Sequence, residues 1–161
     1  MARKLTVAEV RDRLASEVET IGFVRTTSRP LRLIKDINRE TEVFLYPGVY
    51  RHRTRIRIDP TIGVENGILR DRLLALNVQK WRGCTRVCHL CLDTIYLGTE
   101  DGLDEAAATF RKDVTELGLP MMREFDTLDR VKELLRDPWA PAVPRVAVLF
   151  EREKLAVLQD H

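Results

Sequence analysis

The sequence predicts an α+β fold: one antiparallel sheet of about four to five strands packed with three or four helices. Three features predict it. The chain opens on an amphipathic helical stripe, its middle is a block of segments with a period of two, and two more helical stripes follow. Helices placed before and after a block of strands, instead of alternating with them, point to an antiparallel sheet and away from a doubly wound parallel one.

The opening helix has both a start and a stop. Thr6-Val7-Ala8-Glu9 is a capping box, in which the threonine oxygen accepts from the third helical amide and the glutamate reaches back. Val7, Val10, Leu14, Val18 and Ile21 follow at spacings of three and four, and Gly22 supplies the left-handed residue that ends the helix. Residues 23–35 read as extended, broken near Ser28-Arg29-Pro30, and residues 36–38 as a turn. A hairpin is then expected about Pro47-Gly48, pairing residues 40–46 with 49–58. An even loop sets Glu42 opposite Arg53, Glu40 opposite Arg55, Val43 opposite His52, Leu45 opposite Tyr50 and Phe44 opposite Arg51.

Asp59-Pro60 ends that strand, Gly63 and Gly67 mark a loop, and residues 68–78 carry a short helix with Leu69, Leu73 and Leu76. Residues 85–97, rich in Val, Cys, Leu, Ile and Tyr, read as a strand buried on both faces. Residues 103–117 form a second strong helix on Leu103, Ala106, Ala107, Phe110, Val114 and Leu117, with Gly118 as terminator and Pro120 as a bar to continuation. Asp126 or Thr127 caps a third helix bearing Leu128, Val131, Leu134 and Leu135. Residues 1–161 are expected to form one domain, with a Pro-rich connector at 138–144 before a C-terminal segment at 145–159, strand or helix.

Composition narrows the class. Hydrophobic residues make up 44% and charged residues 32% of 161, a globular balance, and no apolar run reaches the roughly 20 residues of a membrane span. The N-terminus lacks a signal-peptide pattern and the three cysteines crowd between Cys84 and Cys91, so a cytoplasmic protein with reduced thiols is expected. Net charge is +2, yet residues 25–86 hold fourteen Lys/Arg against six Asp/Glu (+8), and residues 87–161 hold nine against fifteen (−6). These halves either neutralise each other in the fold or present surfaces of opposite sign.

Cys84, Cys88 and Cys91 have the spacing of the cluster-binding loop of radical S-adenosylmethionine enzymes. Strand parity sends Cys88 and Cys91 to opposite faces, no glycine-rich cofactor segment follows, and no fourth zinc ligand stands at a suitable distance from His89. No metal and no cofactor are expected. His52, on the apolar side of its strand, reads as a core or rim histidine, and His161 is terminal. With no nucleophile elbow, phosphate-cradling loop or His-Glu helix motif, no catalytic residue is assigned and an enzyme is not expected.

The feature that invites a function is the arginine alternation Arg51, Arg53, Arg55 and Arg57. A period of two puts the four guanidinium groups on one strand face, with Ile56 and Ile58 on the other. This row is the candidate partner-binding site. Three uses stay open: cross-strand ion pairs to Glu40 and Glu42 on a solvated face, an acidic protein partner, or nucleic acid. Nucleic acid is the lesser choice, because no aromatic residue interleaves the arginines on their own face.

The C-terminal half repeats a bacterial pattern. A helix ending in Gly118-Leu119-Pro120 is followed by Phe125-Asp126-Thr127-Leu128 opening a helix that runs to Leu134-Leu135. Together with the opening helix closed by Gly22-Phe23, this resembles small bacterial α+β domains of unknown function, members of which are suspected immunity proteins of toxin systems. The resemblance carries no functional residue with it. It implies a binding protein whose partner is a protein such as a toxin; the alternative is a nucleic-acid-associated accessory protein using the basic face Arg51–Arg57.

Overall fold

A computed structural model describes residues 3–28, 30–75, 86–98, 100–136 and 146–148. Cys84, the connector at 138–144, His161, and the C-terminal segment apart from 146–148 lie outside the described residues.

Helix α1 (Val7–Glu19) carries the expected capping box: Glu9 N donates to Thr6 Oγ1 at 3.2 Å and Thr6 N donates to Glu9 Oε2 at 2.8 Å. Val10, Leu14, Ala15 and Val18 are its buried stripe, and Gly22 ends the turn at φ +94°. Strands β1 (Val24–Ser28), β2 (Leu31–Asp36), β3 (Thr41–Tyr46), β4 (Val49–His52), β5 (Arg55–Ile58) and β6 (Thr61–Asn66) follow, then helix α2 (Gly67–Ala75). Beyond these come β7 (Arg86–Cys91), β8 (Ile95–Leu97), α3 (Leu103–Asp113), α4 (Leu119–Arg123), α5 (Leu128–Arg136) and β9 (Val146–Val148). The fold is α+β.

The described strands divide between two antiparallel sheets, where one was expected. Six strands form the larger, in the order β1-β2-β3-β6-β7-β9, and three form the smaller, β4-β5-β8. Leu33, Val43, Leu45, Ile62, Val64, Cys88 and Leu90 are fully buried on one face of the large sheet. Val49, Ile56, Ile58 and Leu97 are the buried face of the small one. Both sets belong to one continuous core with α1 and α3, where Phe110 and Leu14 are fully enclosed. Each fully buried side chain of this size contributes about 1.5–3 kcal/mol.

The chain passes between the sheets four times, after β3, β5, β7 and β8. Strands β3 and β6 are direct neighbours, so the hairpin β4–β5 is an excursion inserted between them. Its neck is closed by Asp59 N donating to Gly48 O at 2.9 Å. Gly48 has φ +57°, and a Cβ there would collide with the Asp59 carbonyl, so both the turn and the close approach demand glycine.

This topology corrects the expected hairpin. Residues 40–46 do not pair with 49–58; β3 pairs with β2 on one side and β6 on the other, as its buried residues on both faces require of a central strand. Residues 49–58 fold on themselves through a two-residue turn at Arg53-Thr54, setting His52 opposite Arg55, Arg51 opposite Ile56 and Tyr50 opposite Arg57. The single strand expected at 85–97 is two strands, β7 and β8, in different sheets. Gly63 lies inside β6 rather than in a loop, directly against the Phe44 ring, where a Cβ has no room.

Gly118 is not a terminator either. It has φ −67°, and the helix continues from α3 through one π-helical turn, Val114–Gly118, into α4. Leu119 N donates to Val114 O across that wider turn, which accommodates Pro120 and its missing donor.

Candidate functional site

The outer face of the small sheet is built by parity from the buried one. With Ile56 and Ile58 inside, Arg55 and Arg57 leave from the opposite side, and so do their cross-strand partners His52, Tyr50 and Tyr96. Tyr50, Arg57 and Tyr96 therefore form one row across three strands. Strands stand about 4.8 Å apart, which puts the two tyrosine backbones roughly 10 Å apart with the arginine between them. Tyr50 is 57% exposed and Tyr96 53%.

The row is held in place. Arg57 Nε donates to Asp59, 2.9 Å from Oδ1 and 2.8 Å from Oδ2, and Thr94 Oγ1 donates to Asp59 Oδ1 at 2.7 Å. The hydrogen bond that Asp59 accepts, and then its charge, raise the Arg57 pKa above its ordinary value. His52 meets Tyr96 edge to face, ring centroids 6.5 Å apart. His52, Arg53, Thr54, Arg55 and Tyr96 line a shallow depression at one end of the row. At the other, a small cleft beside Tyr50 is lined by Arg11, Pro30, Leu31, Tyr46 and Val49.

The four candidate arginines do not form a row. Arg51 leaves from the other side of β4, and its guanidinium donates to Leu5 O at 2.6 Å, tying the chain before α1 to the sheet. Arg53 occupies the turn with φ +55°. Arg55 and Arg57 share the outer face, so the alternation with Ile56 and Ile58 holds within β5 and fails across the turn. Arg53 and Arg55 are exposed and make no ion pair with any described residue.

The ion pairs expected from Glu40 and Glu42 to these arginines do not form. Glu42 stands directly opposite Glu65 on β6 and next to Asp36 on β2, and Arg32 bridges the two glutamates at 3.3 and 3.6 Å. Burial raises the Glu42 carboxyl above its ordinary value; Arg32 opposes that shift, while Glu65 and Asp36 add to it.

Sequence reasoning missed Tyr50 and Tyr96 and assigned Tyr50 to the apolar side of the strand. The turn at Arg53-Thr54 reverses the chain, so Tyr50 and Arg57 become partners on one surface although they differ in parity along the sequence. Aromatic rings do lie among the arginines, contrary to the expectation. Nothing local announces the turn, because two-residue hairpins favour Gly, Asn or Asp, and here they hold Arg and Thr.

Cys88 is buried and Cys91 exposed, as opposite faces of β7 require. Among the described residues, no group of three or more His, Cys, Asp or Glu is arranged to hold a metal ion. Likewise, no described helix is long and apolar enough to cross a membrane. Comparison with family models, curated proteins and solved structures finds no match.

Proposed function

We propose that this protein acts without catalysis, by holding another protein on the outer face of its three-stranded sheet. Its specific form in our reading is an immunity-type protein that covers a cognate toxin. The observation that supports binding here is the exposed row Tyr50–Arg57–Tyr96. Tyrosine and arginine are the residue types that concentrate binding energy at protein interfaces. The Asp59 carboxylate already orients Arg57, and a sheet backed by the core carries both rings, so little ordering is lost on association. The toxin partner rests on the resemblance carried by Gly22-Phe23, Gly118-Leu119-Pro120 and Phe125-Asp126-Thr127-Leu128 to small bacterial α+β domains suspected to be immunity proteins.

Single-stranded nucleic acid is the second reading, since the same row offers two rings beside cations. Two facts favour the protein. Among the described residues of this face only Arg53 and Arg55 keep an uncommitted charge, and the Arg57 charge is already met by the Asp59 carboxylate. Tagged protein recovered from its native cells tests the proposal. A protein retained by the wild type and lost from Tyr50→Ser/Tyr96→Ser supports it; retention unchanged in that variant refutes it.

A further inference from the structure

The hairpin tip is costly where a cheaper sequence exists. Arg53 takes φ +55°, a region that glycine occupies freely and arginine only at a cost, in a two-residue turn where glycine would relax the backbone. Its guanidinium offers the fold nothing in return, for it has no partner among the described residues, and neither has Arg55. Arg25, Arg32, Arg57 and Arg130, by contrast, are each tied to carboxylates. A strained residue with an idle cation at an exposed tip is one whose contribution lies outside the fold.

We infer that Arg53 and Arg55 are the specificity-determining part of this face and that they fork onto paired carboxylates of an acidic partner protein. This rests on the protein-binding reading above. Both residues line one open depression of about 390 Å³ with His52, Thr54 and Tyr96, so two cationic side chains and an exposed ring border a site with room for a pair of carboxylates. The matching surface is an acidic pair beside an apolar side chain, the pair meeting the tip and the apolar group meeting Tyr96. Nucleic acid fits less well. Two free cations would give a salt slope of only about −1.4 on a single strand, the mark of a weak binder.

Two measurements test this. In the first, fluorescein-labelled polyglutamate of about 15 residues and oligo(dT) of about the same length are titrated by anisotropy at about 20 mM salt. Polyglutamate is expected to bind the wild type and to lose roughly five-fold or more in affinity in Arg53→Gly and in Arg55→Ser. Arg53→Gly is expected to melt at or above the wild-type temperature, an outcome a structural role for Arg53 would reverse. Equal binding by all three proteins, tighter binding of oligo(dT) than of polyglutamate, or a lowered melting point for Arg53→Gly overturns the inference. In the second, the two arginine variants join the native-cell recovery. A partner kept by both but lost from Tyr50→Ser/Tyr96→Ser overturns the anchor and leaves the face standing. A partner kept by all three variants removes the face itself.

Discussion

Replacing Gly118 with alanine distinguishes a helix terminator from a contact point. An ideal Cβ on Gly118 would stand 3.0 Å from Ile62 Cδ1 and 3.1 Å from its Cγ2, closer than side chains normally approach. The backbone at φ −67° is helical, so alanine gains about 0.8–1 kcal/mol of propensity over glycine. Overpacking of this kind costs about 1–3 kcal/mol, which puts Gly118→Ala between neutral and about 2 kcal/mol destabilising. Ile62 is fully buried, and Ile62→Val alone should cost about 0.5–1.5 kcal/mol. Valine also removes the Cδ1 carbon at 3.0 Å, so Gly118→Ala should become about 1 kcal/mol less costly in that background. Urea unfolding of the four proteins of this cycle, followed by far-ultraviolet circular dichroism, measures the coupling. Additivity within about 0.5 kcal/mol would refute the contact, and a uniform loss near 1 kcal/mol would restore the left-handed terminator.

Two further outcomes are expected. Glu42 has its carboxyl pKa raised in the fold from 4.5, so the folded state holds that proton more tightly than the unfolded chain. Its contribution is therefore unfavourable above the raised value and vanishes below the ordinary one. Glu42→Gln should gain stability relative to wild type as pH rises from about 4 to 7, in urea melts at the two ends; a gain confined to acid would contradict the sign. Under native conditions a maleimide should modify Cys91 and spare Cys88 until the protein is unfolded, as read by peptide mass mapping. Equal labelling would place Cys88 outside the core.

What could be read from the sequence was whatever local chemistry decides. The capping box Thr6–Glu9, the stop at Gly22 and the cap at Thr127, whose Oγ1 accepts from Arg130 N at 3.3 Å, need only neighbours a few residues away. The break between β1 and β2 is of the same kind. Partition of strands between sheets is not. A period of two looks alike in either sheet, so neither the crossing at Pro47-Gly48 nor the passage from Cys91 to Ile95 shows in the pattern. Glu42 complements Arg53 on paper, but Arg32, nearer in space through β2, takes it instead. Glycine at 118 is equally good as a left-handed cap and as a place where a helix touches a sheet, and only the position of Ile62 decides between them. The candidate face was half legible. Arg55 and Arg57 were found by alternation, whereas Tyr50 and Tyr96 joined them only through a turn with no turn residues.

Photocrosslinking tests the outer face most directly. Tyr50→p-benzoylphenylalanine and Tyr96→p-benzoylphenylalanine, irradiated in native cells, are compared with the same change at Val24, which is 61% exposed on strand β1 of the other sheet. The proposal predicts a covalent adduct with one and the same protein from positions 50 and 96, and none from 24. Adducts to nucleic acid, or a protein adduct from 24 alone, would contradict it.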